Sequence, residues 1–257
     1  MAARWRLLVD GPGSGPWNMG VDEALLASAR GDVEGRPQAT LRLYRWDGPW
    51  LSLGYGQRLS EARAAACHEA GVGCVQRATG GLAVLHGADL TYAVAAPESW
   101  LPAGLRASYC LVADALGEAF QRLGVGLERS KAGAGDRLRR GFDCFAEPAP
   151  DELLAQGRKL AGSAQRRVRG AVLQHGSIRL APDPPEVAAA AGLDPARATS
   201  LVELGARPGL DAVVRAVIGG FEQVLGVSLE PSRLSSPEHR AALHRGAGPT
   251  AEGLRPS

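Results

Sequence analysis

Lysine is nearly absent from this chain of 257 residues: of its 29 basic side chains only Lys131 and Lys159 are lysines, and arginine supplies the other 27. A lysine retained inside a Gly-rich motif of so Arg-biased a chain points to a use for a compact ammonium that a guanidinium cannot replace. Cysteine is also scarce. Cys67, Cys74, Cys110 and Cys144 stand at spacings that match neither a CxxC redox pair nor a zinc ligand set, so no metal is expected. No apolar run reaches the 18 residues of a membrane span, and the first fifteen residues hold only a short run broken by Arg6, too polar for a signal core. The expected compartment is the cytoplasm, with reduced thiols. Nor does one sign of charge dominate. A net charge of +2 is too balanced for a general nucleic-acid binder, so a charge-driven partner must meet a local patch.

What is present is an ordinary globular composition, 45% hydrophobic and 22% charged. At this length folding buries roughly 70 to 75% of the unfolded surface, enough for a core without disulfides or metals. Periodicity predicts a strand over 5–9, a helix from Asn18 as its cap, and a hairpin of 41–46 with 50–55 across Asp47-Gly48-Pro49. A short helix at 60–70 with Ser60 as cap leads to strands at 73–78, 82–85 and 89–95. The clearest helix is 108–123, where Leu111, Val112, Leu116, Phe120 and Leu123 form one stripe. Strands at 152–155, 158–168 and 171–180 follow, separated by tight turns at Gln156-Gly157 and Arg169-Gly170. From residue 181 helix patterns at 185–191, 210–225 and 237–244 dominate. The expected fold is α+β, with a core unit at 1–182, a helical extension packing on it at 183–244, and a disordered tail at 245–257.

Three segments are too polar and Gly-rich for scaffold alone. In the first, Arg77 to His86 followed by Asp89-Leu-Thr-Tyr92, the adjacent Gly80 and Gly81 let backbone N–H groups approach a carbonyl or anion beside Arg77. No Gly-Lys-Ser/Thr follows, so it is not a phosphate loop. The second is 157–165 with Gln174-His-Gly-Ser177, where Ala161, Gly162 and Ala164 leave room for a ligand chain against a sheet. Ser163 is in no Gly-x-Ser-x-Gly elbow, and a Ser163/His175 pair without a placed acid is weak evidence of a hydrolase; His175 reads equally well as a structural histidine. The third is Asp143-Cys144-Phe145. Cys144 lies in an irregular stretch, 130–150, near Arg137, Arg139 and Arg140, and a loop thiol near cations can serve as a nucleophile.

Together these blocks, with 18–25, 41–46 and 52–55, occur in the same order in biotin/lipoyl protein ligase-like enzymes, and the chain most nearly resembles their LipM-type octanoyltransferase branch. The likeness covers residues 4 to about 180 well. It implies a mixed sheet flanked by helices and an acyltransferase that takes octanoyl from acyl carrier protein onto Cys144 and passes it to a lysine of a lipoyl-domain protein. Such acceptors include glycine cleavage H protein and the 2-oxoacid dehydrogenase E2. Lys159 becomes the second catalytic residue. Arg77, Thr79, Gly80, Gly81 and His86, with Gly162, Ser163, Ala164, Gln165 and His175, become the walls of the acyl site. No cofactor, nucleic acid or membrane is implied, and the chain is expected to act as a monomer. Relatives commonly carry two arginines where this chain has Gln76-Arg77, and Gly or Arg where it has Leu82. Other readings are an octanoyl amidotransferase between lipoyl-domain proteins, an ATP-dependent lipoate ligase, for which Cys144 would be superfluous, and a non-catalytic lipoyl-binding module.

Overall fold

The computed structural model describes residues 3–130 and 152–246. In chain order, β1 (Ala3–Gly13), α1 (Gly15–Ala29), β2 (Thr40–Trp46), β3 (Trp50–Leu53), α2 (Glu61–Glu69) and β4 (Gly73–Gln76) lead into β5 (Val84–His86), β6 (Asp89–Pro97) and α3 (Leu105–Arg122). Then come β7 (Glu128–Arg129), β8 (Leu153–Ala155), β9 (Arg158–Lys159), β10 (Ala161–Val168) and β11 (Ala171–Arg179). The described chain ends with α4 (Pro185–Ala191), α5 (Leu210–Leu225), β12 (Val227–Pro231) and α6 (Ser236–Gly246). Cys144, Lys131, Arg137, Arg139 and Arg140, and all but the first two residues of the expected tail, lie outside the described residues.

The main sheet has six strands in the order β10-β11-β6-β2-β1-β12, antiparallel from β10 to β2 and parallel from β2 to β12. Period-2 alternation gives it two apolar faces. Leu41, Leu43, Tyr92, Val94 and Val172 pack with Phe120, Phe221 and Val217 of α3 and α5. On the other face Tyr44, Trp46, Ala93, Ala95 and Leu173 meet α1, and the small Ala93 and Ala95 leave space for that helix. Helix α6 covers α1 in turn, tied by Glu238, which accepts from Ser28 Oγ at 2.7 Å and Arg6 Nη1 at 2.6 Å. The result is a mixed α+β fold with helices on both faces of the sheet.

Two smaller sheets complete it. The order β4-β3-β5 packs with α2 and α4 through Leu51, Leu53, Cys67, Leu85 and Ala188, and β7-β8-β9 lies beside the main sheet. The structure differs from the periodicity reading in four places. The strand read over 158–168 is broken at Leu160, β9 pairing with β8 and β10 with β11 in the main sheet. Segments 41–46 and 50–55 are strands, but they belong to different sheets rather than to one hairpin, because β3 pairs with β4 and β5. The α1 cap is Ser14, whose Oγ accepts from Trp17 N, while Asn18 sits inside the helix and donates to Gly13 O and Arg45 O. Beyond residue 181 the helices are accompanied by β12, an edge strand parallel to β1. The two tight turns are as read: Gln156-Gly157 and Arg169-Gly170 have φ of 50°, 72°, 49° and 80°, the positive values that a two-residue hairpin turn requires.

Candidate active site

A cavity with about 350 Å³ of empty space opens between the main sheet and the β4-β3-β5 sheet. One wall is Gly162, Ser163 and Ala164 of β10 with His175, Gly176 and Ser177 of β11; the facing wall includes Ser52, Arg77, Val84 and His86, and Met19 of α1 closes one side. Small residues on an edge strand thus do what their pattern suggests, leaving a slot beside the sheet. Gly81, at φ +88°, would place a Cβ 3.7 Å from that of Ala164, so the Thr79–Gly81 turn lies directly on the β10 wall. The first two Gly-rich segments therefore converge.

Each histidine of the cavity is held at both nitrogens. His86 Nδ1 lies 2.8 Å from Asp89 Oδ2 and its Nε2 lies 2.8 Å from Ser52 Oγ, while its ring stacks on Trp46 at 4.1 Å. Asp89 also accepts from Gly87 N and Thr91 Oγ1. Burial alone would raise its pKa, but the neighbouring His86 and these donors outweigh that and hold the carboxyl below the usual range.

On the opposite wall His175 Nδ1 is 2.9 Å from Asp22 Oδ2, and Nε2 is 2.6 Å from Thr79 Oγ1. Asp22 accepts in addition from Arg42 Nη1 and Tyr44 OH, both at 2.8 Å, and Arg42 reaches on to Asp10 at 2.7 Å. Burial lowers the His175 pKa and so favours the neutral ring. For Asp22 burial acts the other way, yet the His175 hydrogen bond and the Arg42 charge keep its pKa depressed. A neutral His175 donates from Nδ1 to Asp22 and accepts at Nε2 from the Thr79 hydroxyl. The acid that the sequence left unplaced is Asp22, and the hydroxyl is Thr79 rather than Ser163, which instead meets Tyr92 OH at 2.6 Å.

Arg77 is 5% exposed and donates to Ser52 O, Ser52 Oγ, Gly80 O and Leu82 O, so it is a fixed wall. Gln76 donates to Tyr55 O and Gln57 O and latches the turn after β3. Gln165 does not reach the cavity: strand alternation turns it toward α3, where it bonds Gln174 and Ser108. Lys159 is fully buried, three residues before Gly162, with Nζ 2.7 Å from Glu152 Oε1. Glu152, Asp22, Arg42 and Ser52 were not singled out as site residues from sequence. Asp22, Arg42 and Ser52 fall within the 18–25, 41–46 and 52–55 blocks, whereas Glu152 falls in none. The proposed nucleophile, Cys144, lies outside the described residues. Among those described, no cluster of His, Cys, Asp and Glu is arranged to hold a metal, and no helix is long and apolar enough to cross a membrane.

Residues 14–222 match the family described as lipoyl protein ligase A/B catalytic domain. The chain is 38% identical to a protein of Kyrpidia tusciae named octanoyltransferase LipM, covering 93% of each. It is equally identical to one of the same name from Symbiobacterium thermophilum, covering 94% of each. Among solved structures, a lipoate-protein ligase A bound with ATP superposes with a TM-score of 0.80 at 21% identity over 98% of this chain and all of that one. A putative lipoate protein ligase of T. acidophilum with bound lipoic acid gives 0.76 at 21% over 94% of each. The extent of the family match and of the LipM relatives' identity shows that this chain belongs to the lipoyl protein ligase A/B catalytic-domain family.

Proposed function

We propose that the chain is a protein octanoyltransferase of lipoylation. The observation that carries this reading is near full-length similarity to proteins named octanoyltransferase LipM in a chain that keeps both Cys144 and Lys159. In the first step the Cys144 thiolate attacks the thioester carbonyl of an octanoyl-acyl carrier protein; the carrier sulfur leaves as a thiolate and takes up the proton that Cys144 released. In the second, the neutral amine of a lipoyl-domain lysine attacks the Cys144 thioester, the amide forms and the enzyme thiol is regenerated. Thioester exchange is nearly isoenergetic and thioester to amide is downhill, so neither step calls for ATP.

Lys159, the last residue of β9 and three residues before Gly162 of the cavity wall, supplies the cation in this reading. Its ammonium favours the Cys144 thiolate and polarises the thioester carbonyl. Glu152 holds that ammonium in position. Arg77, Thr79, Gly81, His86, Ala164 and His175 surround the acyl chain, and the side-chain polar atoms of Arg77, Thr79 and both histidines are taken up by hydrogen bonds to protein groups such as Ser52, Asp22 and Asp89, leaving the slot apolar in effect. The enzyme acts as a monomer on two protein partners in turn.

The test is transfer itself. Incubated with octanoyl-carrier protein and an apo lipoyl domain in the absence of nucleotide, the enzyme octanoylates the domain lysine. Transfer only from octanoyl-lipoyl domain to a second lipoyl domain would make it an amidotransferase, and transfer only from free octanoate with ATP would make it a ligase.

A further inference from the structure

Two cavities lie end to end along β10. The second shares Met19 and Arg77 with the acyl cavity, and the rest of its lining is mixed, Glu23, Gln76, Arg166 and Arg245 standing beside Tyr55 and Val75. Strand register sets their order. Lys159 closes β9, Gly162 lies opposite Ser177 at the start of the acyl cavity, and Ala164 lies opposite His175 further along it. Arg166, two residues on, is already in the mixed cleft. At about 3.3 Å per residue, Gly162 and Arg166 of β10 are on the order of 13 Å apart.

We infer that Met19, backed by Arg77, is the end stop of the acyl cavity and sets the preference for an eight-carbon chain. The inference rests on the proposed function, which puts the thioester at the Lys159 end. An extended octanoyl group, seven bonds of about 1.5 Å in zigzag, covers roughly 9 Å, close to three residues of strand. With its carbonyl level with Ala161, two residues on from Lys159, its methyl end reaches the level of Ala164 and His175, in the cavity that Met19 also lines. Two further methylenes pass Met19 into the mixed cleft, where Arg245 Nη1 lies 3.2 Å from Glu23 Oε2 and Arg166 donates to Ala78 O. Apolar carbon there gains less burial than inside the slot, because these charged groups share the cleft with its apolar side chains.

Of the two residues at the boundary, Arg77 is locked by its four hydrogen bonds, whereas Met19 is unbranched and adaptable. Its backbone is pinned from both sides, by Asn18 on Gly13 and Arg45 and by Asp22 on His175. Shortening this side chain therefore removes the stop without moving the helix.

The experiment measures acylation of Cys144 by intact mass with matched hexanoyl, octanoyl, decanoyl and dodecanoyl carrier thioesters, in wild type, Met19→Ala and Ala164→Val. Wild type drops about tenfold or more from octanoyl to decanoyl, the discrimination a pocket gives against added methylene. Met19→Ala raises the decanoyl-to-octanoyl ratio at least about tenfold and leaves hexanoyl-to-octanoyl unchanged. Ala164→Val lowers octanoyl relative to hexanoyl. A Met19→Ala enzyme with the wild-type length profile overturns the inference, and should that variant not fold, an unchanged hexanoyl-to-octanoyl ratio in Ala164→Val does so. Thermal stabilisation by the free C6 to C12 fatty acids gives the same length profile without thioester chemistry. Length-dependent stabilisation that Met19→Ala extends, with no acyl transfer, would sink the proposed function alone; transfer without length discrimination would sink the end stop alone.

Discussion

Lys159 Nζ lies 2.7 Å from Glu152 Oε1, with both side chains buried to within 1% of complete exclusion from solvent. The lysine that stands out in the sequence is thus half of an ion pair whose other half precedes β8. Removing one member of such a pair strands the other charge in a low-dielectric interior, which commonly costs about 3–5 kcal/mol. Lys159→Ala is predicted to lose that much in urea unfolding, and Lys159→Met with Glu152→Gln to recover a large part of it. Equal stabilities of wild type and Lys159→Ala would show that the pair is not buried in solution.

The same pair bears on the thiol. Lys159→Ala is predicted to slow alkylation of Cys144 at neutral pH, since in the proposed mechanism the thiolate then loses the cation that favours it. Iodoacetamide rates against pH, taken under conditions where the variant remains folded, check it; superimposable profiles would remove Lys159 from the activation of Cys144. Lys159→Arg is a poor substitute, being planar and larger.

Much of this was legible in local pattern. Turns at Gln156-Gly157 and Arg169-Gly170, the Ser60 cap and the small residues of β10 each follow from backbone or steric rules acting within a few residues. The parts that were not legible depend on distant partners. Strand β12 finds β1 more than two hundred residues away, and Trp50 to Leu53 choose β4 and β5 over the strand next to them in sequence. Asp22 looks like the polar face of a surface helix until α6 covers that helix and Arg42 and His175 are brought to it. A buried charge carries no mark in a single sequence except the partner it will meet.

Acid stability follows from His175 and Asp22. The His175 pKa is lowered by burial, so the unfolded chain binds its proton first: the stability due to the neutral ring is present above about pH 6.5 and is lost as pH falls below it. The slope is at most about 1.4 kcal/mol per pH unit for one proton. Asp22, whose folded pKa is depressed, adds a second loss below the ordinary carboxylate range near pH 4. Unfolding free energies between pH 7.5 and 5 should flatten in His175→Gln relative to wild type. The same slope in both would mean that His175 takes up its proton equally in the folded and unfolded chain.

Docking of an acidic carrier separates the arginines. Arg167 is committed to Glu98, Gly104 O and Ser108, so its charge serves the end of α3 rather than a partner. In the proposed reaction Arg139 and Arg140 would steer the carrier, an effect on association that weakens once salt screens beyond roughly 8 to 10 Å. Arg139→Glu with Arg140→Glu is predicted to raise KM for octanoyl-carrier protein several-fold, and to leave a small octanoyl thioester unaffected. A matched loss with both donors would assign these arginines to the fold of their own segment.

The central claim is a covalent octanoyl-enzyme on Cys144. Intact mass of the full chain after mixing with octanoyl-carrier protein and no ATP tests it directly: wild type gains one octanoyl group, carried on the Cys144 peptide, and Cys144→Ala gains none. An unmodified wild type, or an adduct that persists in Cys144→Ala, would contradict it.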